Sequence, residues 1–159
     1  AWMSLGDQLS PEQKKQFVLK ALNPGSILHL RCDFFAPPKH KFLLLGCIEP
    51  EPILFTINSR VSPYIVARQH LAQCQVMLYQ SDHSFLKYDS FLDCTTAIRD
   101  FGLDDLTAQL VADFSNIKSR LTETDREAVI KAVSRSVTLE ERVKKLVLQS
   151  LARPPLYGS

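Results

Sequence analysis

No catalytic signature, paired-cysteine motif, long apolar run or strong net charge marks this chain, and each absence narrows what it can be. Four cysteines occur, Cys32, Cys47, Cys74 and Cys94, and no two of them form a CxxC pair. Three lie inside apolar, strand-like runs, which predicts buried thiols rather than the disulfide framework of small secreted chains. No Cys or His pair shows a recognised zinc-ligand spacing except Cys32 with His40, so neither a metal nor another cofactor is expected. No run approaches the roughly 20 apolar residues of a bilayer span, and no charged-then-apolar leader pattern is present, so the expectation is a cytoplasmic protein without membrane contact. The formal net charge of +2 is too small to argue nucleic-acid binding by its total. Its distribution says more. Residues 11–47 carry six basic side chains against two acidic, and residues 88–114 carry one against six. Two solvated faces are the plain explanation; the functional one is a basic site with an acidic segment that closes the fold or meets a partner.

What is present fits one domain. A chain of 159 residues, 45% of them hydrophobic, is long enough for a sizeable core. The expected division is a loose lead-in over 1–9, a single domain over 10–134, and a helical extension with a tail over 135–159. Ser10-Pro11-Glu12-Gln13 reads as a helix start, with Ser10 as N-cap, Pro11 in the first helical position and Gln13 answering the cap. Asn23, Pro24 and Gly25 stop that helix.

Residues 25–59 then read as three short apolar strands. A basic, proline-bearing loop over 36–41 joins the first two, and Glu49-Pro50-Glu51-Pro52 turns into the third. Residues 62–73 are ambiguous, with a helical turn expected near 67–72. Short strands are expected at 75–79, 84–86 and 88–94. The remainder reads as helical. A helix over 103–114 opens on two aspartates, Thr124 with Glu127 caps a helix over 125–134, and Thr138 with Glu141 caps another over 139–152. Five or six short strands bracketed by helices predict an α+β fold built on a small, strongly bent antiparallel sheet or a partly open barrel.

Two stretches hold residues suited to chemistry. Lys39, His40 and Lys41 gather up to three donors at one hairpin, a cluster able to bind a phosphate and stabilise charge developing on it. Thr56, Asn58, Ser59 and Arg60 at the end of the third strand offer hydroxyl and amide groups and a guanidinium that never titrates away. Sequential strand pairing would bring the two stretches together. Of the other histidines, His29 reads as a wall residue of its strand, His70 lies in the ambiguous segment, and His83 sits in a turn beside Asp82. Arg31 adds a further cation, and Phe34, Phe35 and Tyr64 are candidate stacking platforms or core residues.

The order of these features resembles the PemK/MazF-like toxin family, which has an SH3-like barrel. The resemblance runs through Pro24-Gly25-Ser26, then Lys39-His40-Lys41 before Phe42-Leu43-Leu44-Leu45, then Thr56-Ile57-Asn58-Ser59. It continues through Asp89-Ser90-Phe91-Leu92 and Ala97-Ile98-Arg99-Asp100 to Ser119-Arg120-Leu121 before Thr124-Asp125-Arg126-Glu127, similar to that family's closing strand and helix. It covers roughly residues 23–133. It implies a dimeric, metal-independent endoribonuclease that cuts single-stranded RNA and is silenced by an antitoxin protein. The family's loop arginine would fall at Lys41, or at His40 by a one-residue shift, and its hydroxyl at Ser59 or Thr56. Lys39, Arg31, Phe35 and Tyr64 would help to hold the RNA. The family's Arg-Pro pair is absent here, and Ser26 stands where an aspartate is expected. A non-catalytic module of the same fold, binding a protein partner or RNA without cleavage, is the alternative.

Overall fold

Alternating side chains over residues 26–58 sort onto two faces, and both faces find cover. The computed structural model describes residues 8–152. Strands β1 (Ser26–Cys32), β2 (Lys39–Cys47) and β3 (Ile53–Asn58) pair antiparallel in sequence order. Two short helices, α2 (Pro63–Val66) and α3 (Gln69–Ala72), then lead to β4 (Gln75–Leu78) and β5 (Ser90–Asp93). With β6 (Ile117–Arg120) the order is β4-β5-β3-β2-β1-β6, an antiparallel sheet curled into a half-barrel in an α+β fold.

Helices cover the two faces separately. Leu28, Leu30 and Cys32 of β1 point with Leu43, Leu45 and Leu54 towards α1 (Pro11–Ala21) and α4 (Leu103–Ala112), meeting Val18, Leu22, Leu106 and Leu110. The alternate residues Ile27, Leu44, Phe55 and Ile57 form the other core with α5 (Glu123–Arg135) and α6 (Glu141–Ala152), through Val129, Val133, Val143, Val147 and Leu151. All four cysteines are buried free thiols.

Local chemistry sets the element ends. Ser10 caps α1 as its sequence predicts, with Gln13 N donating to Ser10 Oγ at 3.1 Å and Ser10 N donating to Gln13 Oε1 at 2.8 Å. Gly25 adopts φ 98°, a left-handed conformation that suits glycine, and its N–H donates to Leu45 O at 2.7 Å. Gly46 sits where the β2–β3 register slips by one residue, a bulge, and a Cβ there would lie 2.9 Å from Phe55 Cε2. Beyond its pairing with β6, β1 is met by a side chain: Arg31 N donates to Gln109 Oε1 at 2.8 Å and Gln109 Nε2 donates to Arg31 O at 3.1 Å.

Several expectations need correction. The basic stretch Lys39-His40-Lys41 opens β2 rather than forming a loop tip, because Arg31 and Cys32 extend the β1 ladder to His40 and Lys39. Residues 84–86 are turn, not strand, and residues 62–73 contain two short helices where one turn was expected. Helix α5 is capped by Thr122 with Asp125, two residues earlier than Thr124 with Glu127: Asp125 N donates to Thr122 Oγ1 at 3.0 Å and Thr122 N to Asp125 Oδ2 at 3.1 Å. Thr138 does not cap α6, which begins only at Glu141; its hydroxyl donates to Thr95 O at 2.6 Å. Strand β6 lies in a region read as helical; its sequence Ile117-Lys118-Ser119-Arg120 is too short and polar to show a period, and pairing with β1 makes it a strand. The expected lead-in over 1–9 and the tail after 152 lie largely outside the described residues.

Candidate functional site

Register decides which cations meet. Phe42 of β2 pairs with Ile57 of β3, so the preceding Lys41 and the following Asn58 come together at the strand ends, and Lys41 Nζ donates to Asn58 Oδ1 at 2.6 Å. They open onto a groove of about 690 Å³. Its walls are His40, Lys41 and Phe42 from β2, Ile57 and Asn58 from β3, Ser59 and Arg60 just after it, and Ser62 and Ile65 around α2. Residues 85–88, with Ser90 and Gln75, complete the lining. The two stretches singled out from the sequence therefore share one wall.

Charge in the groove has one sign. Lys41, Arg60 and Lys87, with His40, line it, and among the described residues no aspartate or glutamate does, although Asp93 acts on Lys41 from outside the lining. Burial is the main cause that lowers the pKa of the Lys41 ammonium, and neighbouring Lys39 adds to it by repulsion. The hydrogen bond to Asn58 orients that ammonium, and Asn58 is steadied in turn by a weaker contact of its Nδ2 with Thr56 Oγ1 at 3.4 Å. Apolar surface lies between the cations: the Phe42 and Phe85 rings are 4.9 Å apart at their centroids, and Tyr88 is 66% exposed. A bound anion with a flat apolar appendage is what such a surface accommodates.

The remaining sequence candidates lie elsewhere. Thr56 acts behind the wall through Asn58. Arg31 is paired with Asp33 at 2.6 Å, on the strand beside His40. Lys39 lies over the ring of Phe35 at 5.8 Å, and Phe35 packs against the core on the α1 side, so neither borders the groove. Tyr64 is exposed on α2, its ring covered by the Arg68 guanidinium at 3.6 Å. Lys39 shares a strand face with Lys41 but stands two residues further out, beyond the last β3 partner of β2, where it meets Phe35 instead.

No known family model and no curated protein matches this chain.

Sequence reasoning missed Phe85, Lys87 and Tyr88. The only signal was a cation beside an aromatic residue after the polar turn at 80–83. A buried network fixes the segment that carries them. The His83 imidazole is fully buried, with Nδ1 2.7 Å from Ser119 Oγ on β6 and Nε2 2.8 Å from Asp125 Oδ2 at the start of α5. Both ring nitrogens are thus engaged, one by a hydroxyl and one by a carboxylate. Leu86 N donates to His83 O at 3.0 Å, so the turn that begins at this anchor delivers residues 85–88 to the groove.

Proposed function

We propose that the chain binds single-stranded RNA in this groove and cleaves it without a metal ion, in the manner of the PemK/MazF-like family its sequence resembles. The observation that supports the reading is the meeting of Lys41, His40, Arg60 and Ser59, from the ends of two consecutive paired strands, in a groove whose described lining residues include no carboxylate. A phosphodiester placed there would be neutralised by Lys41 and Arg60, with Lys87 in the same groove, and oriented by the Ser59 hydroxyl. The RNA's own 2′-hydroxyl is the nucleophile. Phe85 and Tyr88 offer ring faces for splayed bases, the part the sequence reading gave to Phe35 and Tyr64. On the same reading a second copy of the chain and an antitoxin protein are its partners and the cytoplasm is its compartment.

One observation favours the non-catalytic alternative. Lys41 replaces an arginine, presents a single ammonium rather than a planar fork, and is already engaged by Asn58. The test is incubation of the purified protein with a mixed single-stranded RNA in chelator, beside Lys41→Ala with Ser59→Ala. Discrete fragments that disappear in the double variant are expected, with a loss of at least ~100-fold in rate from removing charge stabilisation. Intact RNA at protein concentrations well above binding would leave a binding module instead.

A further inference from the structure

The two outer strands of the sheet are built differently. On one side β6 carries Lys118 and Arg120, and its register against β1 skips Lys118; charge and a bulge are common protections of an outer strand. On the other side β4 ends the sheet order, and Gln75-Val76-Met77-Leu78-Tyr79-Gln80 holds no charge and no proline, and its pairing with β5 has no bulge.

Register shows what β4 offers on its open side. Cys94 N donates to Cys74 O at 3.0 Å, and the two residues stand opposite each other by extension of the Gln75–Asp93 pairing. Hydrogen-bonded pairs recur at every second residue of an antiparallel ladder, so Cys74, Val76 and Leu78 turn their backbone groups towards β5. The N–H and C=O of Gln75 and Met77 and the N–H of Tyr79 therefore point away from the sheet. Tyr79 O already accepts from Asp82 N and His83 N, at 3.0 and 3.1 Å. The side chains of 75, 77 and 79 also share one face. Met77 is 39% and Tyr79 50% exposed, whereas Val76 and Leu78 are buried in the core that α5 helps to form. The carboxylates nearest this face, Asp93 of β5 and Asp89 just before it, are engaged by Gln75 Nε2 at 2.9 Å and Gln80 N at 2.8 Å.

We propose that a second copy of this chain joins here, the two β4 strands pairing antiparallel about a two-fold axis at Met77. The function proposed above takes a second copy as partner from the family resemblance; the open side of β4 supplies its place, whether or not RNA is cleaved. The outward groups at 75, 77 and 79 map onto themselves when the strand is reversed about 77, as a two-fold contact requires. Met77 exchanges two hydrogen bonds with Met77 of the second copy, and each Tyr79 N–H donates to Gln75 O of the other chain. Half-exposed methionine meets methionine, and no like charges face each other along the pair. Gln75 also lines the groove, so Tyr79 of the second copy comes to stand beside that lining.

The test uses the full chain. Sedimentation equilibrium at micromolar concentration is expected to give the mass of two chains. Met77→Lys sets two ammonium groups against each other on the axis and should raise the dimer dissociation constant at least ~10-fold. Met77→Cys, treated with oxidised glutathione, should become a covalent dimer, because hydrogen-bonded antiparallel partners lie about 5.5 Å apart at Cα, within the span of a disulfide. Gln75→Cys should link to Tyr79→Cys on mixing but not to itself. A Met77→Lys variant that dimerises as tightly as the wild type, or a dimer in which residue 77 does not cross-link, overturns this pairing and leaves a dimer formed elsewhere. A wild type that stays monomeric overturns the second copy as a partner as well, and the RNA assay above still judges cleavage separately. If Met77→Lys does not fold, the pattern of cross-links decides alone.

Discussion

Gly46 shows how little room a single residue has here. It occupies the bulge of β2, with the edge of the Phe55 ring where its Cβ would be, and Phe55 is among the largest fully buried side chains. Gly46→Ala is expected to cost about 1–3 kcal/mol, since the ring must shift within a packed core. Chemical denaturation that gives the variant wild-type stability would show that the ring moves freely. The groove residues face the opposite constraint: Ser59, Arg60 and Tyr88 are exposed, so their truncation should alter binding and leave stability nearly untouched. Residue types at 56–60 are readable as a polar strand end, but which of them reaches the groove is not. That depended on Phe42 pairing with Ile57, a register no local pattern states.

At the level of elements, the helices carry their own start signals, and these were legible to different degrees. Ser10 with Gln13 was plain because proline follows the cap directly. In residues 122–127 two overlapping boxes compete, Thr122 with Asp125 and Thr124 with Glu127. The first prevails because Asp125 also accepts from the buried His83, a contact invisible to local reading. Thr122→Ala should therefore cost about 0.5–2 kcal/mol, the usual range for a lost N-cap, measurable by thermal unfolding followed by circular dichroism. No change would mean that Asp125 holds the α5 terminus unaided. The strands of residues 26–58 were readable from alternation and their turns; β6 was not, because a four-residue polar strand borrows its conformation from β1.

For the whole molecule, near-neutral net charge hides a local field. The groove collects Lys41, Arg60 and Lys87, while acidic residues 100, 104, 105 and 113 lie on and around α4, away from its lining. Three lysine or arginine contacts to a single strand predict a log–log salt slope of about −2 for retention of an unstructured RNA, at ~0.7 per phosphate neutralised. Fluorescence anisotropy at several salt concentrations measures it. A slope near zero would point to an apolar protein interface in place of RNA. Polarisation of charge was visible in the sequence, but the convergence of these three cations was not, since Lys87 arrives on a turn held in place by His83, Ser119 and Asp125.

The side-chain amide of Gln109 bears on how copies of this chain behave towards one another. By offering one acceptor and one donor to the backbone of Arg31, it occupies the place a further strand would take along the part of β1 that β6 does not cover. An open ladder there would be a template for a foreign strand, and strand addition is a common start of aggregation. One glutamine, reaching from a helix, thus serves as a plug against sheet growth and keeps concentrated protein from joining edge to edge along β1.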